Sequence, residues 1–180
     1  GTGVHFVGLP KVLELVLTNG LDKRTGKQIM PPHNRKLDSM ETVLDQWKIY
    51  MHKIIEVVNK VNNIQMDVWR KHNMPVVQSM LKPDCLVKGQ HVGTMGDRHN
   101  ATINFESCGT ITFVNCLASL NQNVFVEKKH TLDEMVDAML NNFGFKTAYE
   151  TGVFSPDYRE VTAKAGKYEK IFADCVNAPK

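Results

Sequence analysis

The residues of this chain that could do chemistry are, first, its cysteines. Cys108 lies between Ser107 and Gly109 at the predicted start of a helix, where the helix dipole lowers a thiol pKa. A thiol activated there by a histidine would be a nucleophile. The alternative, which we favour, is a small side chain that packs where a strand meets a helix. Cys116 falls in an apolar helical stretch and is interpreted as a core residue.

The histidines invite a second interpretation, a metal site. His91 and His99 share one loop with Asp97, but their spacing matches no established ligand motif. No cysteine pair has the C-x-x-C spacing typical of zinc or redox sites. We therefore predict no metal site, no bound cofactor and reduced thiols.

The composition is that of an ordinary globular protein. Of 180 residues, 42% are hydrophobic and 23% are charged, and the net charge is +3 with both signs interspersed. A charge this small and mixed predicts no nucleic-acid partner. No apolar run approaches the roughly 20 residues that span a bilayer, so we expect no membrane span and a cytoplasmic location.

The elements that must position these residues are mostly helical. The pattern predicts a strand over 102–105 and helices over 10–19, 38–72, 76–81, 84–89, 110–120, 131–142 and 155–176. Thr131 with Glu134 forms a capping box. Asp38 or Ser39 is predicted to cap the helix over 38–72, and Glu41, three residues after Asp38, would complete a second box. Two tandem helices that meet at Asn62-Asn63 remain an alternative to one long helix. Trp47 and Trp69 follow the apolar stripe and are interpreted as core.

Both ends of the sequence suggest a piece of something larger. It opens on Gly1-Thr2-Gly3 without Met, and it stops at Asn177-Ala178-Pro179-Lys180. We expect an internal fragment that folds poorly alone, because its apolar helix faces need the rest of the parent protein for burial.

Four stretches, taken together and in order, resemble one known family. They are the helix Leu9–Gly20 with the loop Asp22-Lys23-Arg24-Thr25-Gly26-Lys27, the segment Asn115–Leu120, the segment Glu127–Met135 followed by Asn141-Asn142-Phe143, and the terminal Asn177–Lys180. Each is weak alone. Jointly they are similar to the glycyl radical enzymes, the pyruvate formate-lyase-like proteins.

The resemblance implies a fold, a separate activating enzyme and a location for the catalytic residues. The fold class would be α/β, with residues 1–180 a mostly helical internal fragment of one catalytic domain built on a ten-stranded barrel. In the family, an activating enzyme with S-adenosylmethionine and an iron–sulfur cluster installs a glycyl radical, which passes to a cysteine thiyl. No R-V-x-G-[YF] loop occurs in this sequence. The radical glycine and the thiyl cysteine are expected outside this chain, so no catalytic residue is assigned here.

Within the family, the sequence leans towards the large subunits of alkylsuccinate and benzylsuccinate synthase. These lyases add a hydrocarbon to fumarate, so a hydrocarbon and fumarate are the expected substrates. The resemblance places Asn104, Phe105, Cys108 and Ile111 in the wall of the substrate pocket. It also leaves room for small accessory subunits and a second catalytic subunit as partners.

Two alternatives stay open. One is another glycyl radical lyase of the diol dehydratase, choline lyase or arylacetate decarboxylase type, in which His99, Asn104 and Glu106 bind a polar substrate. The other is a non-enzymatic helical module whose Met40–Val68 stripe binds a partner.

Overall fold

The computed structural model describes residues 4–72, 75–94, 96–98, 104–145 and 168–178, and at 4, 69, 70, 94 and 104 the backbone alone. The chain divides into two compact units. The first unit comprises Gly1–Gly8 and Met51–Cys108, and the second comprises Leu9–Tyr50 and Gly109–Lys180.

The first unit holds a two-stranded parallel sheet. Strand β1 spans Val4–Gly8 and strand β2 spans Asn104–Cys108. The Val-His-Phe-Val run of β1 has the β-branched and aromatic residues that favour strands, although the sequence analysis assigned no strand there. Of the strand predicted over 102–105, residues 104 and 105 lie in β2, which continues to Cys108; residues 101–103 lie outside the described part.

A long helix, α2, runs without interruption over Met40–His72. The Asn62-Asn63 doublet does not break it, since the Asn62 side chain is 2% exposed and its Oδ1 lies 3.4 Å from His5 Nε2. At the start of α2, the Ser39 and Thr42 side chains each accept the other's backbone N–H at 3.2 Å. The structure thus confirms Ser39, one of the two predicted caps. Its partner is Thr42, and the predicted box of Asp38 with Glu41 was wrong.

Two short helices follow in the first unit, α3 over Val76–Met80 and α4 over Pro83–Lys88. The Ser79 hydroxyl donates to Pro75 O at 2.7 Å and accepts the Val92 N–H at 3.1 Å, so it joins α3 to the following 3₁₀ turn. Lys82 pairs with Asp97. Arg98 forms a bidentate contact with Asp84, and its hydrogen bonds lower the pKa of Asp84 to about 2.

The second unit is a cluster of helices. Its remaining elements are α1 (Leu9–Leu17), α5 (Thr110–Leu120), a π-helical segment (Asn121–Val126), α6 (Leu132–Leu140) and α7 (Glu169–Val176). Helix α1 contributes the largest buried group: Leu9, Val12, Leu13, Leu15 and Val16. Trp47 stacks on Phe113 with ring centroids 4.8 Å apart, which confirms Trp47 as a packed residue; the Trp69 side chain lies outside the described part.

The turn after α1 requires a glycine. Gly20 has φ +89°, and a Cβ there would lie 2.2 Å from Met30 O, a contact that no side chain tolerates. Just beyond, Asp22 accepts hydrogen bonds from Lys11, from the Thr25 hydroxyl and from the Thr25 N–H. The Lys11 and Thr25 bonds hold the pKa of Asp22 well below its usual range.

Two sequence predictions in the second unit are confirmed and one is covered only in part. Helix α5 matches the predicted 110–120, and Thr131 with Glu134 forms the predicted capping box, with bonds of 2.8 and 3.2 Å. Of the helix predicted over 155–176, only α7 falls within the described residues. Across the described ranges, no helix is both long enough and apolar enough to cross a membrane.

Candidate functional site

The strand pair of the first unit gathers several side chains that can do chemistry. The two strands run parallel, and His5 lies opposite Phe105, Phe6 opposite Glu106, and Gly8 opposite Cys108. In this register, the His5 imidazole and the Glu106 carboxylate lie on neighbouring strands, with Glu106 one residue beyond the partner of His5. Carboxylate, imidazole and thiol groups therefore lie within one short stretch of sheet.

Strand alternation separates these groups between two faces. His5 shares its face with Phe105, and it reaches the buried Asn62 of α2. Asn62 therefore fixes the orientation of the His5 ring.

The opposite face is open. Phe6 is 65% exposed, and Glu106 and Cys108 are also exposed. Parallel strands are normally covered on both faces, so this face is open either to a further element of the fold or to a ligand. We call Phe6, Glu106 and Cys108 the open strand face. It can hold an aromatic ring and accept a hydrogen bond.

The four predicted wall residues fall at different places. Asn104 begins β2, where its backbone alone is described. Cys108 lies on the open strand face, while Phe105 alternates onto the face of His5. In the second unit, Ile111 lies in the first turn of α5 and is 75% exposed. The wall itself stays a prediction.

The second unit contains a cavity of about 720 Å³. Its lining comes from α1, α5, α6 and α7 and is mainly apolar, with Cys116, Cys175 and Phe172 among its residues. Burial raises the pKa of both the Cys116 and the Cys175 thiol, which makes them poor nucleophiles at neutral pH. This fits the interpretation of Cys116 as a core residue.

No cluster of ligands suited to a metal ion exists among the described residues. His91 and Asp97 are described, but His99 lies outside the described ranges, so the predicted polar role of His99 is not placed. All four cysteines are free thiols.

Sequence reasoning missed His5 and Phe6, because it started the ordered chain at the first helix. The signal that could have found them is the Val4–Val7 run of β-branched and aromatic residues directly before a helix. Glu106 was considered only in the alternative with a polar substrate. The structure places it at the centre of β2, opposite Phe6.

Comparisons with known proteins place the chain in a family. The model of the pyruvate formate lyase-like family matches residues 2–180. The chain is 73% identical over 180 residues to a 4-hydroxyphenylacetate decarboxylase glycyl radical subunit from Clostridium scatologenes, covering all of this chain and 20% of that protein. It is 33% identical over 191 residues to an indoleacetate decarboxylase from Tractidigestivibacter scatoligenes, covering 100% of this chain and 21% of that protein. The chain thus spans about a fifth of the length of these relatives.

Solved structures agree on the fold. Hydroxyproline dehydratase from Clostridioides difficile, with trans-4-hydroxy-L-proline bound, superposes with a TM-score of 0.70 at 26% identity, over 96% of this chain and 22% of that one. The B12-independent glycerol dehydratase from Clostridium butyricum gives 0.67 at 20% identity, over 97% and 23%. The expected fold class, a mostly helical part of the glycyl radical enzyme barrel, is confirmed. By its sequence and its fold, this chain belongs to the pyruvate formate lyase-like family of glycyl radical enzymes.

Proposed function

We propose that this chain is part of the catalytic subunit of a glycyl radical arylacetate decarboxylase whose substrates resemble 4-hydroxyphenylacetate. The observation that carries the proposal is the 73% identity over all 180 residues to the glycyl radical subunit of such an enzyme. An indoleacetate decarboxylase at 33% identity supports the same class of reaction. The leaning towards alkylsuccinate and benzylsuccinate synthases finds no support in these relatives, which favour the arylacetate alternative instead.

The open strand face supports a substrate of this kind. Phe6 offers an aromatic surface, on which an aryl ring packs by offset stacking or edge to face. Directly across the strand pair, the exposed Glu106 carboxylate can accept a hydrogen bond from a ring O–H or N–H. Both relatives act, by their names, on an aryl ring that carries such a donor.

Charge then sets the direction of binding. An arylacetate carries its own carboxylate, and two carboxylates at close range repel. The ring donor therefore points to Glu106, and the acetate group points away from it. In this orientation the bond to be cleaved lies a full ring width from Glu106, so Glu106 binds and orients the substrate.

The reaction breaks the bond between the methylene carbon and the carboxylate carbon. Carbon dioxide leaves, and the methylene carbon gains one hydrogen to become a methyl group. A glycyl radical, once installed by an activating enzyme, supplies the one-electron chemistry that this cleavage needs. Residues of this chain contribute substrate orientation and the exclusion of water. Asn104, Phe105, Cys108 and Ile111 stay proposed wall positions, now for an aryl ring.

The test uses the full-length subunit with its activating enzyme under anaerobic conditions. One reaction contains 4-hydroxyphenylacetate, and a parallel one contains an alkylarene with fumarate. We expect carbon dioxide and 4-methylphenol from the first and no substituted succinate from the second. Formation of a substituted succinate, with no decarboxylation, would overturn the proposal and restore the fumarate-adding interpretation.

A third reaction with phenylacetate, which lacks the ring hydroxyl, isolates the role of Glu106. A lower kcat/KM for phenylacetate than for 4-hydroxyphenylacetate is expected, because Glu106 would then face a ring without a donor. Equal kcat/KM values for both substrates would show that Glu106 does not bind the ring hydroxyl. The proposed decarboxylase activity would be unaffected by that result.

A further inference from the structure

The part of α2 in the first unit has two apolar sides. One side is buried, with Met51, Asn62 and Met66 each at most 9% exposed. On another side, four branched aliphatic residues are exposed at 58%, 50%, 66% and 54%: Val57, Val61, Ile64 and Val68. We call these four residues the outer seam.

The spacing of the outer seam is that of a helix-packing surface. Its residues follow one another at steps of four, three and four, which repeats the a and d positions of a heptad. At 100° per residue they fall within about 60° of one another around the helix. A straight apolar line of this kind, about 16 Å long at 1.5 Å per residue, fits the side of another helix.

One edge of the outer seam is basic. Lys53 and Lys60 are exposed and lie seven residues apart along one edge of the seam, and the exposed Lys71 follows Val68 by three residues and ends the apolar line. Lys60 is already paired with Glu56 at 2.8 Å. A helix that packs here is therefore favoured when its facing edge carries Asp or Glu, as at the flanking positions of a coiled coil.

We propose that the outer seam is covered, in the complete protein, by an amphipathic helix from the remainder of the same subunit. The relatives that share the whole of this chain are about five times as long, since the chain covers 20% of them. Four exposed branched aliphatics in one line are poorly compatible with a free surface. The rest of the polypeptide is tethered to this helix, so it reaches the seam at a much higher effective concentration than any separate protein.

Covering of the outer seam does not depend on the substrate, because it concerns assembly of the subunit. The seam is also separate in sequence from the residues of the open strand face. It also gives the Met40–Val68 stripe a different role from the one in the module hypothesis. The buried positions of that stripe pack within the first unit from Met51 onward and within the second unit before it. The exposed positions from Val57 onward receive a helix of the parent protein.

The experiment compares labelling rates within the full-length subunit. Ile64→Cys places a thiol in the outer seam, and Asn63→Cys places a matched thiol next to it, at an exposed position off the seam. Each purified variant is treated with a maleimide, and labelling of the peptide that contains the new thiol is followed by mass spectrometry. We expect the thiol at 64 to react at least about tenfold more slowly than that at 63, because it reacts only after local opening.

A second pair repeats the comparison in case a variant of the first pair does not fold. Val57→Cys lies in the seam, seven residues before position 64, and Asn59→Cys is its exposed control off the seam. Equal rates within both pairs would overturn the proposal and leave the seam for a separate partner. A slow rate at 64 that rises on dilution of the subunit would also overturn it, because a second copy would then be the occupant. A slow rate that is independent of dilution supports the proposal.

Discussion

The strand pair of the first unit and the helical second unit differ in whether their polar side chains are exposed or are paired with neighbouring groups. In the second unit, Asp22 is tied to Lys11 and Thr25, and the partly buried His130 bonds Asp174 at 2.8 Å. On the open strand face, Glu106 stands exposed beside an exposed phenylalanine. Polar groups with partners inside the fold serve stability, whereas under the proposed function the exposed Glu106 beside Phe6 binds a substrate. The predictions below test this division in the full-length subunit.

The largest effect is expected from Leu15→Ala in α1. Leu15 is 4% exposed and packs in the second unit, so truncation removes buried methyl groups and leaves a void, at a cost of about 2–5 kcal/mol. Thermal unfolding should shift to a lower Tm, while kcat/KM per folded molecule is retained. Leu140→Ala, at a more exposed position of α6, is the matched control and should shift Tm less. A large loss of kcat/KM in the folded Leu15→Ala variant would contradict the distinction between residues that stabilise the fold and residues that bind substrate.

Glu106→Gln should do the reverse. If the carboxylate accepts a hydrogen bond from the substrate ring, the Gln amide oxygen replaces this charge-assisted bond by a neutral one, at a cost of about 1–1.5 kcal/mol of binding, or roughly 5- to 10-fold in kcat/KM. Since Glu106 is exposed in the described chain, Tm should stay close to that of the unmodified subunit. Steady-state decarboxylation of 4-hydroxyphenylacetate measures the first quantity and differential scanning fluorimetry the second.

The control for Glu106→Gln is Glu56→Gln, which neutralises a surface carboxylate of α2 that pairs with Lys60. It should leave kcat/KM unchanged. If both variants lose activity equally, net charge and not the position of Glu106 explains the loss.

A smaller effect, with a defined pH dependence, is expected from Asp22→Asn. The pKa of Asp22 is held low in the folded chain by hydrogen bonds from Lys11 and Thr25. Its ionised form therefore contributes stability above the unfolded pKa of about 4, and that contribution is lost as pH falls through the folded pKa. The variant should have a lower Tm than the unmodified subunit at pH 7, and the difference should shrink below pH 4. For comparison, Asp45→Asn removes only an exposed pair with Lys48 and should change Tm little at any pH. A Tm difference for Asp22→Asn that is constant with pH would contradict the expected linkage.

The smallest effect is expected from Thr131→Ala, which removes the capping box of α6. The loss of a capping hydroxyl costs about 1 kcal/mol. Thr110→Ala, at the start of α5, is a suitable reference because its helix has no side-chain cap. Thermal unfolding of both variants decides the matter: equal shifts would mean that the Thr131 cap adds nothing in the complete subunit.

Much of the helical framework could be predicted because local rules govern it. The Thr131 capping box and the 110–120 helix depend on residues close in sequence, and both are present as predicted. The start of α2 shows the limit of the same rules. Ser39 has Glu41 two positions on and Thr42 three positions on, and a hydroxyl at the correct spacing is preferred to a carboxylate at the wrong one.

The strand pair could not be predicted in the same way. Its partners are about 100 residues apart in sequence, as in Phe6 with Glu106, and no local signal reports pairing at that distance. Fumarate addition was preferred to the arylacetate decarboxylase alternative, which the relatives support better, for a related reason. The sequence stretch around Asn104 predicts wall positions, but it does not indicate which residues of the parent subunit complete the pocket.

The π-helical segment Asn121–Val126 has a consequence for which insertions and deletions the gene tolerates. In this segment, the Glu127 N–H donates to Gln122 O at 2.8 Å. The Asn123 side chain, which is 1% exposed, donates to Asp174 O at 3.1 Å. A π turn differs from an α turn by one extra residue per ring. Loss of a single codon at 121 or 122 would remove that extra residue, so the segment returns to an α turn while the residues that follow keep nearly the same direction around the helix axis. A one-residue gap is therefore tolerated at this point as long as Asn123 is kept, whereas the same gap within α5 would rotate the following residues by about 100°.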